Sequence, residues 1–206
     1  MINLHYFNFL DIEKQLELES DLLKNSQDNH IILNIGTPPA IVLGILNKKD
    51  EWINRNLKEK IKIIKRFSGG GTVYVDQNTI FTTFIMNKDY VNFELFPNPI
   101  LKWLEEFFRP VFKNFNFKLE DNDFTIDNKK IAGNALYIKK NRFLIHSSFL
   151  WGFDSKKMHE LLPLPPKEPL YRNNRSHLEF LLPLEKLLGS KENFIEDLKL
   201  NIKKII

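Results

Sequence analysis

The chain has 206 residues, with 30 Lys and Arg against 26 Asp and Glu, a formal net charge of +4, and no cysteine. Without cysteine there can be no disulfides, thiolate metal sites or cysteine nucleophiles, and so small and dispersed a positive excess does not indicate nucleic-acid binding. There is neither a signal-peptide pattern nor an apolar run of about 18 residues, so we expect a soluble, cytoplasmic protein without membrane partners.

Hydrophobic patterning predicts helices and short β-rich runs within a single domain over residues 1–206. The first helix covers 11–25, with Asp11 as its N-cap, and the strongest covers 97–115, with a break near Pro110 because a proline disrupts a helix interior. Shorter helices are predicted at 48–60, at 155–162 and at 191–206, the last capped by Ser190.

The remaining apolar runs have the length and β-branched content of strands. They are predicted at 30–36, 40–45, 61–67, 72–75 and 80–87. A β-meander follows over 117–153, with Asp127 and Asn128 in a tight turn, and an extended proline-rich connector follows at 163–172. The fold class is therefore α/β (α+β), with mixed and mostly antiparallel sheets flanked by helices.

Three consecutive glycines occur in "RFSGGGTVYVD", between two predicted strands. The spacing matches neither a P-loop nor a dinucleotide fingerprint. Consecutive glycines allow the backbone to pass flat against a ligand and to present N–H groups to it, and the preceding Arg66 suits a phosphate or a carboxylate. A structural bulge or barrel corner is the alternative.

A second group of functional side chains lies in "EDNDFTIDNKKIAGNA". Single lysines are usually solvated, but Lys129 and Lys130 precede an apolar stretch, so one of them can point inward. An inward lysine beside an acyl phosphate would stabilise charge on its oxygens.

Taken together, "KRFSGGGTVYVD", "NDFTIDNKKIAGNA" and "IHSSFL" resemble, in order and spacing, the motifs of the lipoate–protein ligases of the biotin/lipoate A/B protein ligase family. The resemblance covers about residues 30–180. It implies the catalytic fold of biotin and lipoate ligases, which is related to class II aminoacyl-tRNA synthetases. Because the chain ends at 206, we expect a catalytic domain without the C-terminal accessory domain of many ligases.

The resemblance also implies roles for individual residues. Lys130 matches the catalytic lysine, which contacts the acyl carbonyl and the phosphoryl oxygens. Asp123, with Asn122, matches the pair near the nucleotide and its divalent metal. Further contacts to substrate or adenylate are implied for Arg66, Ser68, Gly69, Gly70, Gly71, Gly133, Asn134, Ala135 and His146.

The implied reaction uses ATP, Mg²⁺ and lipoate or octanoate. An acyl-AMP is formed or used, and the acyl group passes to a lysine of a lipoyl domain, of the acidic E2 or H-protein type. A separate accessory-domain protein could assist activation. The absence of cysteine argues against the octanoyltransferases of this fold that use a cysteine nucleophile.

Three departures from the family motifs support an alternative. Val75 replaces a histidine, Gln77 and Asn78 replace a Gly-Asn pair, and Ser147 and Ser148 follow His146 in place of Gly-Thr. A catalytically degenerate protein that binds an acyl-adenylate or a partner is therefore a second hypothesis. A ligase for another carboxylate, such as biotin, is a third, although the arginine-rich loop of biotin ligases is absent.

Other polar residues have ordinary structural interpretations. His146 and His177 are the kind of histidine that is more often structural than catalytic. Arg172 and Arg175 could clamp a carboxylate, but solvated loop arginines are the simpler prediction.

Overall fold

The computed structural model describes residues 2–54 and 60–206, which form seven α-helices and ten β-strands in two sheets. The helices are α1 (Ile12–Asn25), α2 (Lys49–Trp52), α3 (Pro97–Phe108), α4 (Ser155–Leu161), α5 (His177–Phe180), α6 (Glu185–Leu188) and α7 (Lys191–Lys203). The strands are β1 (Ile2–Asn8), β2 (Asn29–Ile35), β3 (Ala40–Leu43), β4 (Lys62–Lys65), β5 (Val73–Val75), β6 (Thr79–Asn87), β7 (Phe117–Glu120), β8 (Asp123–Ile126), β9 (Lys129–Ile138) and β10 (Arg142–Leu150).

A seven-stranded sheet has the order β1-β2-β6-β10-β9-β8-β7, and a three-stranded sheet has the order β4-β3-β5. In the large sheet β1 and β2 are parallel and the other neighbours are antiparallel. In the small sheet β3 is parallel to β4 and antiparallel to β5. The predicted class of mixed, mostly antiparallel sheets flanked by helices is confirmed.

One face of the large sheet is covered by an aromatic core built with α3 and α7. Phe108 packs edge-to-face on Phe149 at 5.0 Å between ring centroids, and Phe149 in turn contacts Phe194 at 5.7 Å. Burying each such side chain stabilises the fold by roughly 1.5–3 kcal/mol. The phenylalanine side chains of α3 therefore pack in this core.

The opposite face of the large sheet carries α1 and the small sheet. Because side chains alternate along a strand, Phe84 of β6 enters the aromatic core, while Phe81 packs with Leu16 of α1 and Val42 of β3. This leaves the candidate site between the two sheets.

Most predicted elements are present, with three differences. The helix predicted at 48–60 ends at Trp52, and Ile53 is extended; residues 55–59 of that prediction lie outside the described residues. The helix predicted at 97–115 ends at Phe108, just before the proline expected to break it. Strand β1 and the short helices α5 and α6 were not predicted. In the described part of the chain, no helix has the length and apolar character that a membrane span requires.

Candidate active site

A cavity of about 680 Å³ lies between the small sheet, α1 and the strands β8 to β10. All the residues predicted for the site line this cavity except Ser68 and Gly69. The glycine loop and the lysine segment, 60 residues apart from Gly70 to Lys130, therefore share one cavity. The predicted site residues that line the cavity are Arg66, Gly70, Gly71, Asn122, Asp123, Lys130, Gly133, Asn134, Ala135 and His146.

The cavity is apolar on one side and charged on the other. Much of its apolar lining comes from one packed cluster around α1 and the small sheet, which includes Val75 and Phe81, and Trp52 and Phe180 of a second cluster contribute as well. The opposite lining carries charged groups, with Lys130 and Asp123 among them. Val75 is 1% exposed, so the residue that departs from the family motif forms part of the apolar wall.

The glycine loop, residues 66–72, crosses the end of β3. It leaves β4 and enters β5, which lie on either side of β3. At the crossing, a Cβ added to Gly44 would lie 2.1 Å from the carbonyl oxygen of Gly70, and Gly70 itself has a φ of +102°. The loop is thus a crossover rather than a bulge within a ladder, and two glycines are required for the close approach of its backbone.

Arg66 holds this loop from inside. Its Nη2 donates to the carbonyl oxygens of Gly69 and Gly71, both at 2.8 Å, and the side chain is buried. Burial lowers the pKa of Arg66 to about 10, so the guanidinium remains protonated at neutral pH. The sequence predicted that the Arg66 guanidinium would bind a ligand, whereas its N–H groups hold the glycine loop. Asn47 holds the loop as well, since its Nδ2 donates to the Gly70 carbonyl oxygen at 3.1 Å.

Ser68 and Gly69 lie in the loop but outside the cavity lining. Ser68 is fully buried, and its carbonyl oxygen accepts a bond from the Ile45 N–H at 3.0 Å. A Cβ added to Gly69 would meet nothing within 4 Å. Ser68 is therefore part of the loop's packing, whereas Gly69 borders open space and contributes its carbonyl oxygen to the Arg66 guanidinium.

Lys130 forms an ion pair with Asp123, with 2.9 Å between Nζ and Oδ1. The other oxygen of Asp123 accepts a bond from the Tyr171 hydroxyl at 2.8 Å. Burial and the negative charge of Asp123 raise the pKa of Tyr171, so the phenol stays a donor. Lys129 is exposed, so the lysine expected to point inward is Lys130.

A β-bulge brings Lys130 onto the cavity side. Phe124 pairs with Ala132 but Thr125 pairs with Lys130, so Ile131 is the extra residue. Lys130 and Gly133 are three residues apart and would face opposite sides of a regular strand. With the bulge they face the same side, and a Cβ added to Gly133 would lie 3.0 Å from the Lys130 Nζ.

Asn134 follows Gly133 on β9 and has one unpaired side-chain donor. Its N–H bonds the Asn122 carbonyl at 3.1 Å and its Oδ1 accepts from the Ser147 hydroxyl at 2.5 Å. Its Nδ2 is buried and has no partner among the described residues. Its partner Ser147 lies between Ile145 and Phe149 of the aromatic core on β10, so the Asn134 side chain faces that core and its backbone faces the cavity.

His146 is oriented by a buried carboxylate from α1. Its Nδ1 lies 3.0 Å from Oε2 of Glu19, whose Oε1 accepts from Thr83 at 2.6 Å and from Gln15 at 2.9 Å. Burial alone would raise the pKa of Glu19, but His146 and the hydrogen bonds hold this pKa below its ordinary value of 4.5. Glu19 is fully buried, and sequence reasoning missed it.

We expect Glu19→Gln to destabilise the protein by about 1–3 kcal/mol at pH 7, because it removes the negative partner of His146. The folded pKa of Glu19 lies below the unfolded one, so its contribution is present above pH 4.5 and is lost as the pH falls. Urea unfolding at several pH values should show the difference from the native protein shrinking towards pH 3. The exposed Glu17→Gln is the control, and a difference independent of pH would contradict this interpretation.

Two arginines after the proline-rich connector also differ from expectation. The prediction of a solvated loop arginine is wrong for Arg172, which is 5% exposed and lines the cavity. Arg175 is partly buried and donates to the backbone carbonyls of Tyr171 and Arg172. Burial lowers the pKa of His177 to about 4, so that ring is neutral at pH 7.

Comparison with known proteins decides the family. The family model described as the lipoyl protein ligase A/B catalytic domain matches residues 11–203. The chain belongs to this family.

Solved structures of family proteins share its fold. A bi-partite lipoate protein ligase from Thermoplasma acidophilum superposes with a TM-score of 0.80 at 16% identity, covering 98% of this chain and 84% of that one. P. falciparum LipL1 superposes with a TM-score of 0.77 at 21% identity, covering 100% and 62%.

Curated members of the lipoyl protein ligase family match along most of this chain. "Inactive lipoate--protein ligase 2" of Plasmodium falciparum is 33% identical over 89% of this chain and 58% of its own length. "Lipoate--protein ligase 1" of Staphylococcus aureus is 26% identical over 96% and 61%. The chain thus spans about three-fifths of the length of these two relatives.

Proposed function

We propose that this chain is a lipoate–protein ligase-type enzyme that forms or uses lipoyl-AMP or octanoyl-AMP and transfers the acyl group to a lysine of a lipoyl domain. The observation that carries the proposal is the two-sided cavity. An apolar wall that includes Val75 and Phe81 fits an acyl chain, and the Lys130–Asp123 pair opposite it fits the polar adenylate. The proposed catalytic unit is a single domain over residues 1–206.

The first step is activation. A carboxylate oxygen of the fatty acid attacks the α-phosphorus of ATP, the bond to the leaving phosphate breaks, and pyrophosphate departs with that electron pair. The ammonium group of Lys130 neutralises charge on the phosphoryl oxygens. The glycine loop, fixed by Arg66, holds the acyl chain and phosphate in line, and positioning of this kind is a large part of catalysis.

The second step is transfer. The ε-amine of the acceptor lysine attacks the acyl carbonyl, loses a proton to water, and forms an amide as the carbon–oxygen bond to AMP breaks. Lys130 stabilises the negative charge that develops on the carbonyl oxygen and on the departing phosphate.

The residues at the turn between β7 and β8 fit a magnesium nucleotide. Asp121, Asn122 and Asp123 line the cavity with two carboxylates and an amide oxygen. Mg²⁺ in nucleotide sites is usually bound through one or two carboxylates together with substrate phosphates. Asp121 and Asp123 would hold the ion, and its charge would neutralise the phosphate oxygens.

Several solved structures of this fold support the choice of substrates and acceptor. One is described as lipoate-protein ligase A bound with ATP, with a TM-score of 0.80 at 14% identity. P. falciparum LipL1 is described in complex with lipoate. The Thermoplasma ligase is described as bi-partite and with its E2 lipoyl domain, which supports a lipoyl-domain acceptor and is compatible with a separate accessory protein.

The proposal is tested by incubating the chain with ATP, Mg²⁺, lipoate or octanoate and an acceptor lipoyl domain. We expect pyrophosphate release and a mass gain of one acyl group on the acceptor. A second reaction with preformed lipoyl-AMP separates transfer from activation. A native protein that is inert in both reactions would contradict the proposal.

Tyr171→Phe should lower the transfer rate by about 3- to 10-fold, because one hydrogen bond that positions Asp123 is lost. Tyr90→Phe is the matched control, since its hydroxyl bonds the backbone carbonyl of Ile205 and does not line the cavity. Single-turnover transfer from octanoyl-AMP is the measurement. Equal rates for the two variants would show that Tyr171 does not position the Lys130–Asp123 pair.

A catalytically degenerate binder is the second candidate. The relative named "Inactive lipoate--protein ligase 2" is 33% identical to this chain, and Val75 stands where the family motif has histidine. This candidate predicts tight binding of acyl-AMP without product. Thermal shifts with lipoate, octanoate and biotin separate it from a ligase for another carboxylate, since only that third candidate predicts biotin as the best stabiliser.

A further inference from the structure

Arg172 lies in the wall of the cavity, at the end of the proline-rich connector. It is 5% exposed, in a short 3₁₀ turn over Leu170–Arg172. Its guanidinium carbon lies 4.7 Å above the ring of Phe180, which also lines the cavity. A fully charged side chain is rarely this buried without a specific partner.

The contacts of Arg172 leave its buried Nη2 without a partner among the described residues. Its Nε donates to the Arg175 carbonyl oxygen at 3.0 Å and lies 3.4 Å from Oε2 of Glu168. Its Nη2 is buried and has no acceptor among the residues that the structure describes. Because unpaired buried donors are costly and uncommon, this group calls for an acceptor from outside the described chain.

The position of Arg172 indicates which part of a ligand it would meet. The adjacent Tyr171 bonds to Asp123, which pairs with Lys130. Arg172 therefore lies near the Lys130–Asp123 pair, with the Phe180 ring beneath its guanidinium. Among the described residues Asp123 bonds Lys130 and Tyr171 but not Arg172, and the nearby His177 ring is neutral at pH 7.

We propose that Arg172 is a phosphate-binding residue, whose Nη2 donates to a non-bridging oxygen of the adenylate phosphate beside Lys130. The inference rests on the proposed function, because it takes the ligand in the cavity to be an acyl-adenylate. A guanidinium is well suited to phosphate oxygens.

The test compares the affinities of AMP and adenosine for the full chain by calorimetry, in three proteins. The native chain should bind AMP more tightly than adenosine. Arg172→Met should reduce the ratio of the two affinities by about 10- to 100-fold, the effect of losing one charge-assisted hydrogen bond. Because the ratio is taken within one protein, general effects on the fold largely cancel.

Arg175→Met is the matched control. Arg175 also lies over Phe180, at 5.3 Å, and holds the same backbone segment, but it does not line the cavity. We expect this variant to keep the native ratio. If Arg172→Met does not fold, Arg172→Lys takes its place; it keeps the charge without the planar fork and should reduce the ratio by about 10-fold.

Each other outcome has a defined meaning. A folded Arg172 variant with the native AMP-to-adenosine ratio overturns the phosphate assignment and leaves the proposed function standing. Loss of octanoate binding with an unchanged ratio overturns it as well, since Arg172 would then bind the carboxylate of the fatty acid. A native chain that binds neither AMP nor adenosine overturns this assignment and the proposed function together.

Discussion

Lys130→Ala is expected to lower the rate of acyl transfer from octanoyl-AMP at least about 100-fold. The substitution removes the positive charge that meets the phosphoryl and carbonyl oxygens, and loss of one such group costs about 10²–10³ in rate. Lys130 is partly buried, with its side chain 20% exposed in the ion pair with Asp123. The Tyr171 bond to Asp123 remains, so we expect the fold to persist.

Lys129→Ala is the control for this experiment. It removes the same side chain from the neighbouring position, but Lys129 is exposed and is not part of the cavity lining. Single-turnover transfer and circular dichroism should be measured for both variants. Full activity of a folded Lys130→Ala protein would show that another group carries the charge stabilisation.

Gly44→Ala should disturb the site by displacing the glycine loop. The added methyl carbon would lie 2.1 Å from the Gly70 carbonyl oxygen and 3.1 Å from the Gly70 carbonyl carbon. Both are backbone atoms, so no side-chain rotation relieves the contact, and the glycine loop must move. We expect a loss of about 1–3 kcal/mol in the free energy of unfolding.

The displaced loop should also cost activity, because a misplacement of about 1 Å near a reacting centre can lower a rate about 100-fold. Gly69→Ala is the matched control for stability, since its Cβ would meet nothing within 4 Å. Denaturant unfolding and octanoyl-AMP transfer are the two measurements. Equal stability for the two variants would show that the crossing of Gly44 and Gly70 is not a tight constraint.

Local chemistry made parts of the fold predictable. The Asp127–Asn128 turn was readable because both residues tolerate positive φ, and both have it, at 50° and 59°. The third helix ends at Phe108, as the following proline requires. The glycine loop was recognisable because three successive glycines are hard to explain without a close backbone approach.

Strand β1 was not predicted, and two of its large apolar side chains are exposed. Leu4 and Tyr6 are apolar and exposed, at 41% and 48%, whereas polar residues alternate with them. The strand is held by parallel pairing with β2, a long-range contact that its own sequence does not encode. Alternation over residues 2–6 is itself typical of a strand, but it does not indicate that Leu4 and Tyr6 face outward.

The missed site residues depend on tertiary contacts. Glu19 sits in a helix rich in surface carboxylates, and its partners Thr83 and His146 lie 64 and 127 residues away in sequence. Lys130 faces the cavity because of the bulge at Ile131, and no residue in this segment predicts a bulge. Motif resemblance reached Lys130 and Asp123 by another route, because it compares whole segments and not single preferences.

The most direct test is a crystal structure of the chain with a hydrolysis-resistant analogue of octanoyl-AMP. The acyl chain should lie along Val75 and Phe81, and the phosphate or its substitute should lie within hydrogen-bonding distance of the Lys130 Nζ. An adenylate bound outside this cavity, or one whose acyl chain points toward Lys130 with its phosphate against Val75, would contradict the account.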